Sequence, residues 1–185
     1  MKGALGCFFG TALLLSSVSL AAACGTERRP VQVAADQNAV EIADIARTAG
    51  IAELAAISAP EAPAARPSAR FAPAELTVYT VSGALLAIDK TADGDVRLVI
   101  ADADQPKTAM IAVAPDPACA AGSRFADNIA AVRNAIDRKF GAFSRLTPNL
   151  PVTATGVAYF GARRGEPGTA PNGIELHPLI GVAFP

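Results

Sequence analysis

The chain has no surplus of charge of either sign: 16 Lys and Arg stand against 17 Asp and Glu. Without a basic stripe or an acidic block, charge-driven binding to nucleic acid or anionic lipid has no compositional support. Aromatic residues are sparse as well. Single-stranded nucleic acids are held by exposed rings in a cationic groove, and Tyr79, Tyr159 and Phe160 are too few for that. No nucleophile elbow, phosphate loop or H-E-x-x-H pattern occurs, which removes the commoner hydrolase, nucleotide and zinc-protease signatures. No internal repeat is visible. One histidine, His177, is the single imidazole on which chemistry can turn.

Long apolar runs are confined to the start. "MKGALGCFFGTALLLSSVSLAAAC" has one early cation, Lys2, then an uncharged stretch from Ala4 to Ala23 that ends in small residues. This is a secretory signal pattern, so residues 1–23 are excluded from the fold and the chain is expected in the cell envelope or beyond. The run is long enough to span a bilayer, but Ser16, Ser17, Ser19 and the three alanines favour cleavage. Ala21-Ala22-Ala23 suits ordinary signal peptidase, which would leave a soluble periplasmic or secreted protein. Cys24, directly after it, also resembles the lipobox cysteine of bacterial lipoproteins, although Ala21 stands where that pattern usually has Leu. Lipidation at Cys24 is the favoured expectation, the membrane then being met only through that lipid.

Cysteine arithmetic follows from this. With Cys7 removed and Cys24 lipidated, Cys119 is left alone and no disulfide is expected in the mature chain. Ordinary cleavage would let Cys24 and Cys119 pair, with Cys24 at the end of a long tail. One imidazole and one thiol cannot make a structural zinc site. Asp89, Asp93 and Asp95 surround an "ADGD" turn without the full spacing of a calcium loop and read as a solvated hairpin. Neither metal nor cofactor is expected.

Residues 24–74 read as a flexible Ala/Pro-rich stalk. A short helix is expected from Thr48 as N-cap, with Ile51, Leu54 and Ala55 on one face. Pro60, Pro63, Pro67 and Pro73 then mark a semi-rigid spacer. From 75 to 185 the texture changes. "LTVYTVSGALLAID" (76–89) predicts a strand bent at Gly83. "VRLVIAD" (96–102), with Val96, Leu98 and Ile100 on one face, and "TAMIAVA" (108–114) complete an antiparallel meander. Phe125, Ile129, Val132, Ile136 and Phe140 then fall on one stripe of a helix. Ser123 is its expected N-cap and Gly141 its exit. Two more strands, 151–160 and 174–184, follow, the last disturbed at Pro178. The order β-β-β-α-β-β is that of a five-stranded OB-like barrel, mostly β with one helix plugging its base. The alternative is an open α+β sheet with the helix lying across it.

"DGDVRLVIAD", "MIAVAPDPAC" and "VTATGVAYF…APNGIELHPLIGV" resemble a family of exported bacterial proteins of uncharacterised function, over most of 76–183. "APNGIELHP" is the most specific part. The resemblance implies the strand order of OB and nuclease barrels and brings no established activity. Family members often carry a second histidine and a glutamine before the motif, where this chain reads "GARRGEPG" (161–168). An activity resting on that second histidine would be missing here.

Alternation on a strand sends Glu175 and His177 to one face. A carboxylate beside an imidazole favours its charged form and can tune a general base, and Asn172 can donate to an oxyanion. Against this, Pro171-Asn172-Gly173 is ordinary turn chemistry, and Glu175 and His177 can simply pair with Arg163 or Arg164. The reading reached is a binding or envelope-associated module that uses Asn172, Glu175 and His177 toward an envelope ligand or protein partner. The alternative is a phosphodiesterase-like hydrolase with Glu175 and His177 as weak catalytic candidates.

Overall fold

Alternation is the first thing the chain turns into structure. Val96, Leu98 and Ile100 have no exposed surface and point into a barrel, while Arg97 and Val99 face outward. The structure is a computed structural model describing residues 24–25, 27–163 and 165–185. The signal segment expected at 1–23 lies outside the described residues. Seven strands form one sheet: β1 (Arg47–Thr48), β2 (Val78–Lys90), β3 (Val96–Asp102), β4 (Ala109–Ala114), β5 (Arg145–Leu146), β6 (Leu150–Phe160) and β7 (Ile174–Ala183).

Five of them close a ring. β2 pairs antiparallel with β3, and β3 with β4; β4 runs parallel to β7; β7 pairs antiparallel with β6, and β6 with β2. The last pairing closes the barrel and excludes the open-sheet alternative. The OB-like expectation holds. β2 makes closure feasible by changing partners along its length. Its first half, 78–85, lies against β6, and its second half, 83–90, lies against β3. Gly83 stands at the crossing, and a Cβ there would sit 2.1 Å from the carbonyl oxygen of Ala101. Only a glycine lets the two backbones approach so closely. The vacated flanks of β2 are filled by β1, parallel to Tyr79 and Thr80, and by β5, opposite Ile88 and Asp89.

The helix α3 (Ala126–Phe140) carries the predicted stripe. Val132 and Ile136 join the main core with Leu85, Leu98 and Leu176, and Ile129 packs against Val33 and Ala120. Ser123 is not the N-cap; its hydroxyl accepts from the Phe125 amide one step before the helix begins. Gly141 ends the helix at φ 65°. On β7 the disturbance expected at Pro178 is present: Ile174, Leu176 and Leu179 all point inward, with the register slipping opposite Gly156.

The flexible stalk expected over 24–74 is corrected. α1 (Arg29–Gln32) and α2 (Ile51–Ala55) pack on the barrel, with Val31, Ile51 and Leu54 buried. Arg28 is 1% exposed and forms a two-pronged ion pair with Glu75 at 2.8 and 2.6 Å. Glu75 also accepts from the amides of Phe71 and Phe160 at 2.9 and 2.8 Å. Its four hydrogen bonds offset the cost of burying the charge. Burial alone would lower the pKa of Arg28, but the bonds to Glu75 and its charge hold it above the ordinary value. The expected domain boundary at Glu75 is therefore the residue that joins the two parts. Within the proline-rich stretch only the middle, roughly the 58–68 span, stays mostly exposed.

Cysteine usage also differs from expectation. Cys24 and Cys119 form a disulfide. Cys24 is thus fixed beside the loop that precedes α3, and Cys119 is not a lone thiol. One sulfur cannot hold both a thioether to lipid and this bond, so the disulfide-bonded form and the lipidated form exclude each other.

Candidate functional site

Outward-facing residues of β3, β4, β6 and β7 form the floor of a cleft of about 460 Å³. They are Arg97, then Ile111 and Val113, then Tyr159, then Glu175 and His177. The turn after β2 supplies one wall through Thr91, Asp93 and Asp95. The connection after β6 supplies another through Gly161, Ala162, Glu166 and Thr169. Glu27 and Gln32, from the segment expected to be a stalk, close a third side. Ligands of OB barrels bind over this same face, between the loops that follow the first and fourth barrel strands.

Glu175 and His177 do share a face, as the alternation requires. His177 is 4% exposed, and among the described residues neither ring nitrogen has a hydrogen-bond partner. The ring sits between two carboxylates. Nε2 lies 3.9 Å from Oδ2 of Asp95, and Nδ1 lies 3.9 Å from Oε2 of Glu175. Both gaps exceed hydrogen-bonding distance. Tyr159 meets the imidazole edge-to-face, with centroids 5.6 Å apart. Burial pushes the Tyr159 phenol well above its ordinary pKa, so it stays protonated and available as a donor. Gly161 is part of this geometry, since a Cβ there would fall 2.4 Å from Oε1 of Glu175.

Asp95 is the residue that sequence reasoning placed wrongly. Instead of lying in a solvated turn it is 3% exposed. It accepts two bonds from Arg29, at 2.7 and 3.0 Å, and one from the Asp116 amide at 2.8 Å. Burial alone would raise its pKa; the Arg29 bonds, the charge of His177 and the Asp116 amide together hold it below the ordinary carboxylate value. Its partner Arg29 comes from the supposed stalk, 66 residues away, which no local pattern reveals. Of the other two carboxylates of that turn, Asp89 pairs with Arg97 and Asp93 accepts from Thr91. Among the described residues no group of three or more His, Cys, Asp or Glu side chains is arranged to hold a metal ion.

Asn172 has a different task from the one expected. Its Nδ2 donates to the carbonyls of Leu54 and Ile57 at 2.8 and 2.9 Å, and its Oδ1 accepts from the Ile174 amide at 3.1 Å. Both of its amide hydrogens are spent on α2 and its exit, and it does not line the cleft. No protein-family model, curated protein or solved structure matches this chain.

Proposed function

We propose that the chain is an exported OB-like binding module whose ligand, a small polar molecule, occupies the cleft floored by Arg97, Tyr159, Glu175 and His177. One observation carries this reading: a buried imidazole whose two nitrogens have no partner among the described residues. A buried polar group without a partner costs roughly 1–3 kcal/mol, and such groups call for a functional account. A bound ligand that reaches Nδ1 or Nε2 would recover that energy. The cleft volume lies within the ~300–1,000 Å³ of small-molecule sites.

Export is supported by the Cys24–Cys119 disulfide, because such bonds persist in oxidising compartments, and by the signal-like start. Since that bond occupies the sulfur a lipid would need, the soluble periplasmic or secreted form is the one proposed. Membership of the exported family with the "APNGIELHP" motif belongs to the same proposal. A phosphodiesterase-like hydrolase would find a general-base pair in Glu175 and His177. It would also have to bring an anion against the acidic lining of the cleft, with Arg97 already held by Asp89 and Glu166.

The test is amide NMR of the disulfide-bonded chain against a pool of small polar compounds. Shifts are expected to centre on Asp95, Arg97, Tyr159, Glu175 and His177. Shifts confined to the shallower hollow around Gly83, Asn149 and Pro151, or none from the pool, would remove the binding reading. Turnover of a phosphodiester that His177→Asn abolishes would replace it with the hydrolase.

A further inference from the structure

We infer that the ligand of this cleft is a neutral sugar, whose hydroxyl groups bind at Glu175 and His177 while its apolar ring face lies on Ile111 and Val113. The inference rests on the cleft being the ligand site. The charges there are met from within the protein. Asp95 is held by Arg29, and Arg97 by Asp89 and Glu166. Asp93 accepts from Thr91 in its own turn, and Glu27 is engaged as well. Asp95 and Glu175 flank the His177 ring at its two nitrogens, so an imidazolium there and the carboxylates answer one another. A charged ligand finds no free counter-charge on this floor. An ammonium would face the imidazolium, and a phosphate or carboxylate would face Glu175.

Hydrogen bonds, not charges, are what the floor lacks. His177 is 4% exposed, and both ring nitrogens are without a partner among the described residues. In its charged form the ring carries an N–H on each nitrogen, yet the oxygens of Asp95 and Glu175 stand 3.9 Å away. That gap is too long for one hydrogen bond and suits two of about 2.8 Å that meet at a single oxygen. Such an oxygen has to accept from the ring and donate to the carboxylate. A hydroxyl does both; an ammonium only donates, a phosphate oxygen only accepts, and an amide splits the two roles between nitrogen and oxygen. The Glu175 side chain is the less buried of the two carboxylates, which places the entering hydroxyl on the Nδ1 side. Nδ1 is itself covered, so the Glu175 carboxylate turns aside as the hydroxyl enters. Around this pair, Gln32, Thr91 and Thr169 bring further groups that both donate and accept. Ile111 and Val113, alternate residues of β4, add an apolar strip beside them. A sugar ring matches this mixture, with hydroxyls at its rim and C–H groups on its face.

The experiment titrates the full disulfide-bonded chain with glucose, galactose and mannose, followed by amide NMR. Maltose and cellobiose stand for the end of a glycan chain, and tighter binding of these than of the single sugars would identify that source. Glucosamine and glucuronate carry a like ring with a positive or a negative charge, and cyclohexanol offers an apolar ring with one hydroxyl. At least one neutral sugar is expected to shift Ile111, Val113, Tyr159, Glu175 and His177, with an affinity that salt leaves unchanged. Glu175→Ala and His177→Phe should each lower that affinity about 10- to 100-fold. Circular dichroism of both variants should match the parent, and if one fails to fold the other carries the test. Three results would each overturn the sugar inference. They are a charged sugar that binds more tightly than every neutral one and weakens as salt rises, cyclohexanol binding as tightly as the sugars, and unchanged affinity in the folded variants. If the sugars are silent while another compound of the wider pool shifts the cleft, the sugar inference falls and the binding module stands. If nothing shifts the cleft, both fall.

Discussion

Asp95 and Asp102 show how single carboxylates hold distant segments of this chain. Asp95 pins Arg29 and the Asp116 amide. Asp102, at the end of β3, accepts from the Ala52 amide at 2.9 Å and so caps α2 from another part of the fold. It also accepts from the amides of Asp104 and Gln105. The amide of Ala52 outweighs the effect of burial and, with the other two, holds the Asp102 pKa below its ordinary 3.8; Asp95 is lowered likewise. Both folded values lie below the unfolded ones, so their stabilisation is complete above the ordinary value and drains as pH falls through the folded values. The urea midpoint should therefore drop as pH falls below about 4. Asp95→Asn should flatten that acid limb while lowering the midpoint at neutral pH. An acid limb of unchanged steepness in the variant would show that Asp95 titrates normally. The sequence shows Asp95 only in a turn and Asp102 only at the end of a strand, because the Arg29 guanidinium and the Ala52 amide that claim them lie 66 and 50 residues away.

Secondary elements were the most legible part. Each of the five barrel strands falls close to its expected span, and α3 begins three residues beyond its expected cap. Period-2 and period-3.6 patterns report which face an element buries, and a closed barrel buries one face of every strand. What periodicity cannot carry is the N-terminal region, whose α1 and α2 span four and five residues. Helices that short are stable through packing and borrowed caps, not through their own sequence. The expected cap Thr48 is replaced by Gly50 at the N-cap position and by the side chain of Asp102. α3 offers the cleanest test of the barrel. Ile136 is fully buried in the main core, and Ile136→Ala should cost roughly 2–5 kcal/mol by chemical denaturation. A loss below ~0.5 kcal/mol, the range of ordinary surface changes, would mean that α3 does not plug the barrel.

At the scale of the whole molecule, the N-terminal region is a wall of the site and a strap around the barrel. Glu27 and Gln32 line the cleft, Arg29 fixes Asp95 behind His177, and Arg28 reaches Glu75 and the carbonyl of Phe160, 132 residues away. Alanine-rich composition hides all of this, since the contacts rest on two arginines and a few buried aliphatics and not on a long apolar stripe. The Glu175–His177 half of the site was legible from alternation on one strand; the Asp95–Arg29 half was not. The strap is also covalent. Cys24 and Cys119 are 95 residues apart in sequence, and closing a loop of that length removes entropy worth ~4–5 kcal/mol from the unfolded chain in the simplest model. Proteolysis makes the arrangement visible. The exposed 58–68 span is where a protease should cut, yet the nicked protein should run as one species without reductant. It should separate into two pieces only after reduction and denaturation, and mass spectrometry of the unreduced digest should show peptides containing Cys24 and Cys119 joined. A diacylglycerol mass on Cys24 would instead mean that the lipidated form is the mature one. Release of a 75–185 fragment that keeps the parent's unfolding transition would return residues 24–74 to the status of a tail.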